Sequence, residues 1–312
     1  MDIKKELEVA FKDYIFNSNG HIYTHVPTNK NLKSVTSFLK SITPAFNVEF
    51  WSTLKAFEYS GYTITKKDQP KNTFYINAKT EIIVGQTDID SFNLSFPVKQ
   101  VLRDWKEKNS IGTSRGTYLH NLLEQLDRRN ITYRNPYDDC DETAKEVLDR
   151  ECVTSLSKGY GYFDPIRNTF EIIKGLAYQF KRETDFLIPV ACEYIVGDIN
   201  LGLCGTFDRL YYNESSGEYE IWDFKTDKEI KFSNKYDKFK LFNLDACEFE
   251  KYCLQTSLYK LIIQENTPIQ LGESYIVHFD WKTDKYEILK TNDYTNLIKQ
   301  EINGNNDLSM YL

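Results

Sequence analysis

The chain has 312 residues, 41% of them hydrophobic, enough for one large domain or for a domain with a substantial extension. A formal net charge of -7 and a pI near 5.3 argue against a protein held to nucleic acid by its overall field, so any such role needs a local basic patch. No stretch approaches the roughly 18 apolar residues needed to cross a bilayer, which leaves no expected membrane partner. The six cysteines contain no Cys-x-x-Cys pair, and the opening Met1-Asp2-Ile3-Lys4-Lys5-Glu6 reads as a charged helix and not as a signal peptide. A reducing, cytoplasmic setting is therefore expected. With 22 Tyr and 20 Phe, much buried area should come from rings that can also sit at edges and meet bases.

Residues 1–60 read as mostly helical, with apolar residues three and four apart in Val35–Lys40 and in Phe50–Phe57, separated by Pro44. Between 61 and 97 the pattern turns to short alternating pieces, Thr73-Phe74-Tyr75-Ile76 and Glu81-Ile82-Ile83-Val84, read as an inserted hairpin. Helices fill most of 98–185, including 116–126 and 167–182. Three strands follow, at 187–196, 205–212 and 218–225, the last two joined by the turn-rich Asn213-Glu214-Ser215-Ser216-Gly217. A helix over 249–264 precedes strands at 273–280 and 285–290. This order is α/β or α+β. The expected division is a helical N-terminal extension with a possible β-hairpin over 1–110, and a core over 111–312.

In a strand over 218–225 the period of two sends Asp223 and Lys225 to one face, while Trp222 and Phe224 point into a core. The hairpin partner supplies a second carboxylate, Asp208. Two carboxylates held close repel one another unless a proton or a cation sits between them, and Mg²⁺ is the default ion. Taken alone, an Asp-x-Lys in a strand is usually an exposed ion pair worth under about 1 kcal/mol. Upstream, His120 and Glu124 lie one helical turn apart beside the apolar stripe Leu119, Leu122, Leu123 and Leu126. A single His there is more often structural than a ligand. Downstream, Gln255 and Tyr259 share one face of an ordinary amphipathic helix.

In order, these pieces resemble the RecB-like branch of the PD-(D/E)XK nucleases: Gly116-x-x-x-His120, Gly205-x-x-Asp208, Asp223-x-Lys225 and Gln255-x-x-x-Tyr259. The resemblance covers about residues 111–262. More weakly, Val35–Lys40 and Trp105–Lys108 ahead of Gly112–Thr117 resemble the helical lead-in of phage and mitochondrial single-strand exonucleases. The resemblance implies a restriction-endonuclease-like α/β core, a central mixed sheet flanked by helices, with a helical N-terminal extension. It further implies that His120, Asp208, Asp223 and the Phe224 carbonyl hold Mg²⁺ or Mn²⁺ and that Lys225 supports the attacking water, so that Asp208, Asp223 and Lys225 are catalytic. Gln255, Tyr259, Arg115, Lys228, Lys231 and Lys235 are then the expected substrate contacts. Phe207 stands where the superfamily's name expects Pro. Glu124 and Glu193 are further acids near the site without an assigned role.

Several nucleases of this branch hold an iron–sulfur cluster with one upstream cysteine and three closely spaced late ones. Here Cys247 and Cys253 are the only late cysteines, so no cluster is expected. A near-copy of the Asp-x-Lys segment, Phe279-Asp280-Trp281-Lys282, lacks the flanking motifs and is assigned to a solvated turn. Lys228, Lys231, Lys235, Lys238 and Lys240, interleaved with Phe232, Tyr236, Phe239 and Phe242, form the local basic run that the net charge requires, with ring faces for unpaired bases. The expected activity is metal-dependent hydrolysis of DNA, as an exonuclease on single-stranded ends. The alternatives are a structure-specific endonuclease, a silent nucleic-acid-binding module and an adaptor using the Tyr-rich surface.

Overall fold

The computed structural model describes residues 2–18, 20, 22–59, 63–66, 74–78, 80–84, 95–130, 135–157 and 165–303. In chain order the elements are α1 (Ile3–Phe11), β1 (Tyr14–Asn17), β2 (Ile22–His25), β3 (Lys30–Ser34), α2 (Val35–Ile42), α3 (Val48–Tyr59), β4 (Thr63–Lys66), β5 (Phe74–Ala78), β6 (Thr80–Val84) and α4 (Ser95–Asp127). They continue with α5 (Glu142–Ser157), α6 (Pro165–Glu183), β7 (Leu187–Asp198), β8 (Leu203–Asn213), β9 (Glu218–Lys225), α7 (Glu248–Asn266), β10 (Leu271–Asp280), β11 (Lys285–Lys290) and α8 (Thr295–Asn303). The helices and strands expected after residue 95 are all present, with ends moved by a few residues.

The chain divides into two compact units, one of residues 1–44, 114–139 and 148–312, the other of 45–113 and 140–147. The division expected at residue 110 is therefore corrected: the first 44 residues belong with the later strands. They are also not mostly helical, since β1, β2 and β3 form an antiparallel meander whose last strand runs parallel to β8 through Lys33 and Ser34. The signal for this was Asn19-Gly20 between Ile15 and Ile22, a hairpin dipeptide flanked by strand formers. Within the second unit, the expected hairpin is a three-stranded antiparallel sheet, β4-β5-β6; its Thr73 lies outside the described residues.

The first unit is built on a mixed sheet in the order β1-β2-β3-β8-β9-β10-β11, with β7 on the other edge of β8. Strand β8 is antiparallel to β7 and β9, whereas β9 and β10 are parallel. Where β8 and β9 pair, alternation sorts their residues. Leu210 and Ile221 turn to one face, in a core with Leu254, Leu258 and Ile262 of α7, Leu39 of α2 and Leu7 of α1. Trp222 and Phe224 turn to the other, where Phe180 of α6 meets both rings together with Phe279. The carboxylates of Asp208 and Asp223 thus belong to the α7 face.

Because Leu7 is fully buried in this core while Val9 on the same helix is 63% exposed, the two positions separate packing from helix propensity. Leu7→Ala is expected to lower unfolding free energy by about 2–5 kcal/mol and Val9→Ala to change it by no more than about 0.5 kcal/mol, read from urea midpoints. Equal, small effects would detach the N-terminal segment from the core.

Candidate active site

Strands β8 and β9 pair from Asn213 opposite Glu218 up to Arg209 opposite Trp222, and there the ladder ends. Beyond it β8 continues against β7 and β3, and β9 continues against β10, so the strands part immediately before Asp208 and after Trp222. Asp208 Oδ2 accepts the Phe224 N–H at 2.7 Å, replacing the lost ladder bond with a side-chain bond, while its other oxygen faces His120. Gly205 is required at the same place. A Cβ there would lie 2.8 Å from the Tyr259 ring and 3.0 Å from its hydroxyl, so the glycine of one motif makes room for the tyrosine of another.

Asp223 is only 2% exposed. Its Oδ1 accepts from Gln255 Nε2 at 3.2 Å, and Lys225 Nζ stands 2.5 Å from Oδ2. Burial, and then the Asp208 charge, push the Asp223 carboxyl up to about 6, against the pull of Lys225. Burial works against the Lys225 ammonium, but Asp223 and Asp208 outweigh it and raise its pKa, so this lysine is charged at neutral pH. Tyr259 is held far above the usual phenol range by burial and by Asp223 and Asp208, and it remains a neutral phenol.

His120 comes from α4. Its Nδ1 lies 3.2 Å from Glu193 Oε1 and 3.5 Å from Asp208 Oδ1, and its Nε2 lies 3.1 Å from the Phe224 carbonyl oxygen. Burial disfavours the imidazolium, but Asp208 and Glu193 more than offset this and lift its pKa to about 9. One ligand atom from each of His120, Glu193 and Asp208 can be chosen so that all lie within 4.8 Å of one another. An imidazole, carboxylates and a backbone carbonyl make a donor set suited to a divalent ion. The residues therefore fit such an ion, and the His120 proton now supplies the positive charge between the acids.

Glu193 enters this cluster by a strained backbone, with φ of +47° in a strand, a conformation that costs about 1–3 kcal/mol for a residue with a Cβ. It is held by Arg209, whose Nη1 donates to Glu193 Oε1 at 3.0 Å and to the Asp208 carbonyl at 2.6 Å. Arg209 Nη2 donates to the His120 carbonyl at 3.1 Å and Nε to Asp127 Oδ2 at 2.7 Å. Asp127 also accepts from the Tyr211 hydroxyl and pairs with Lys181. Sequence reasoning passed over Arg209 and Asp127. The available signals were an arginine directly after Asp208 in a mostly apolar strand, and an acid seven residues after His120 on the same helical face.

The remaining expectations fall out as follows. Glu124 is taken by Arg128 at 2.6 Å. Arg115 is 8% exposed, stacked 4.0 Å from the Trp281 ring, with Nη1 3.4 Å from Thr169 Oγ1; among the described residues no hydrogen bond or ion pair joins it to the acidic cluster. Lys228, Lys231 and Lys235 are exposed, as are Phe232 and Tyr236. Phe239 and Phe242 are not available to bases, because both are buried in the core. Lys238 pairs with Asp245, and Lys240 Nζ donates to the Ser41 carbonyl. Asp280 caps its turn by accepting from Lys282 N–H and the Thr283 hydroxyl.

An ion bound through His120 must displace its proton. Since that proton is held with a pKa of about 9, apparent ion affinity should rise with pH up to about 9 and level off above it. Without the ion, the stability that the raised pKa contributes is complete below about pH 6.5 and is lost as the pH rises through 9. Calorimetry with Mn²⁺ at pH 7 should accordingly release close to one proton, seen as heats that vary with the buffer, and His120→Gln should abolish that variation. Buffer-independent heats in the unaltered protein would remove His120 from the ligand set.

A family model of the PD-(D/E)XK nuclease superfamily matches residues 94–304. That span holds α4 with its histidine, the parted strands with Asp208, Asp223 and Lys225, and the α7 glutamine and tyrosine. No curated protein sequence matches the chain. The match covers more than half of the chain, and the mixed sheet flanked by helices is the restriction-endonuclease-like α/β fold: the chain belongs to the PD-(D/E)XK nuclease superfamily.

Proposed function

We propose that the chain is a divalent-ion-dependent deoxyribonuclease of the RecB-like branch, acting on single-stranded ends as an exonuclease. The observation that carries the reading is the convergence of His120, Glu193 and Asp208 on one point at the parting of β8 and β9, with the Asp223–Lys225 pair beside it. His120, Asp208, Asp223 and the Phe224 carbonyl would hold Mg²⁺ or Mn²⁺, with Glu193 added to the set. Such an ion polarises a phosphodiester and lowers the pKa of a water. Lys225, charged at neutral pH, donates hydrogen bonds to a water or phosphate oxygen; it orients and neutralises, and does not act as the resting base. Gln255 fixes the rotamer of Asp223, and Tyr259 packs under Gly205. Arg115 supports the region from beneath Trp281.

Support for a single strand comes from the segment after Lys225, where exposed Phe232 and Tyr236 alternate with exposed Lys228, Lys231 and Lys235. Rings for unpaired bases and ammonium groups for phosphates suit a strand with no complement.

Asp223→Asn removes a carboxylate charge with little change in volume, so it should abolish cleavage while DNA binding in Ca²⁺ persists, and Asp280→Asn should leave cleavage intact. Mn²⁺ should serve at least as well as Mg²⁺, given the imidazole ligand. Full activity in EDTA, or loss with Asp280→Asn alone, overturns the assignment. For the substrate, linear single strands should be degraded progressively and covalently closed circles should survive; rapid cutting of circles favours the structure-specific endonuclease instead. Changing Lys228, Lys231 and Lys235 together to Glu should flatten the salt dependence of binding by about 0.7 in slope per lost contact, and an unchanged slope would return the segment to a solvated loop.

A further inference from the structure

Helix α7 carries a third polar residue on the line of Gln255 and Tyr259. Lys251 precedes Gln255 by four residues, and Gln255 precedes Tyr259 by four, so the three lie along one face with a rise of about 6 Å between neighbours. Gln255 reaches Asp223. Tyr252, next to Lys251, lays its ring 4.9 Å from Lys225 Nζ and gives its hydroxyl to Asp227. Tyr252, near the start of α7, therefore stands over Lys225.

Lys251 is partly buried and, among the described residues, forms neither a hydrogen bond from its ammonium nor an ion pair. Its electrostatic neighbours are two other lysines, Lys225 and Lys40, and two carboxylates, Asp227 and Glu248, neither close enough to pair. Asp227 is engaged by Tyr252, and Asp223 neutralises Lys225. Lys251 is thus left partly desolvated beside Lys225 and Lys40, without an ion-pair partner among the described residues, and burial followed by the Lys225 charge draws its pKa down against the weaker pull of Asp227 and Glu248. A charge in that position is unfavourable until an anion arrives. Arg115 Nε and Trp281 Nε1 are buried without a hydrogen-bond partner, and their two side chains stack on one another.

We propose that Lys251, assisted by Lys40, binds a phosphodiester group of the substrate strand next to the one positioned at Asp208 and Asp223. This rests on the nuclease reading above and adds to it a strand-binding residue that none of the four motifs contains. The subsite takes a phosphate oxyanion and no base, so it contributes affinity without sequence preference.

The test compares the unaltered protein with Lys251→Gln and Lys251→Arg, measuring binding of a single-stranded oligonucleotide in Ca²⁺ over a range of salt, turnover in Mn²⁺, and thermal melting without DNA. Lys251→Gln should raise Kd and KM about tenfold, the loss of one charge-assisted contact, and lower the salt slope by about 0.7. Lys251→Arg should restore most of both. Melting of free Lys251→Gln should be unchanged or higher, because an unpaired charge has been removed; a lysine kept for structure would lower it. If the unaltered protein cuts DNA while Lys251→Gln keeps its affinity and slope, the subsite is wrong and the nuclease reading stands. If the unaltered protein neither binds nor cuts with any ion, both fall.

Discussion

Two carboxylates, Asp208 and Asp223, face each other at 7% and 2% exposure, and everything around them follows from the need to balance that charge. Left alone, one would protonate, and Asp223 is already pushed up to about 6. The protein instead brings an ammonium from the same strand, Lys225, and an imidazolium from a distant helix, His120. Each cation is itself poorly solvated and is kept charged by the acids. The arrangement is a charge balance that a divalent ion can enter by displacing a proton, without rebuilding the site.

The parting of β8 and β9 is what makes room for that balance. A continuous ladder would pair the backbone at Phe207 and Phe224 and leave no crevice; here Asp208 takes the Phe224 N–H in place of a strand partner, so that this buried N–H keeps an acceptor. Arg209 then ties the histidine helix to the split. Its guanidinium bonds the His120 carbonyl, the Asp208 carbonyl, Glu193 and Asp127 at once, a use suited to its planar fork of donors. The strain at Glu193 is tolerated because Arg209 and His120 both hold its carboxylate.

An overall charge of -7 sets a second constraint on any strand that approaches. Long-range attraction is weak, so phosphate binding has to be local. The exposed Lys228, Lys231 and Lys235 follow Lys225 closely in the chain, and Lys251, without a hydrogen bond or ion pair among the described residues, is an electrostatic neighbour of Lys225.

The sequence by itself determined the central strands, α7 and the meeting of Asp208, Asp223 and Lys225, because alternation and hairpin pairing are local rules that the Glu218–Lys225 strand and its partner obey; Gln255, on an ordinary amphipathic helix, joined them only through the order of the motifs. His120 was legible only through the order of the motifs, since one histidine beside a leucine stripe says nothing of what it meets. Only the tertiary structure decided that Glu193 and Arg209 join the cluster, that Lys251 has no ion-pair partner among the described residues, that Phe239 and Phe242 are core while Phe232 and Tyr236 are surface, and that β1, β2 and β3 extend the main sheet. Each of these depends on contacts between residues far apart in the chain, where a strand edge or a buried charge is created by the partner and not by the residue's own neighbours.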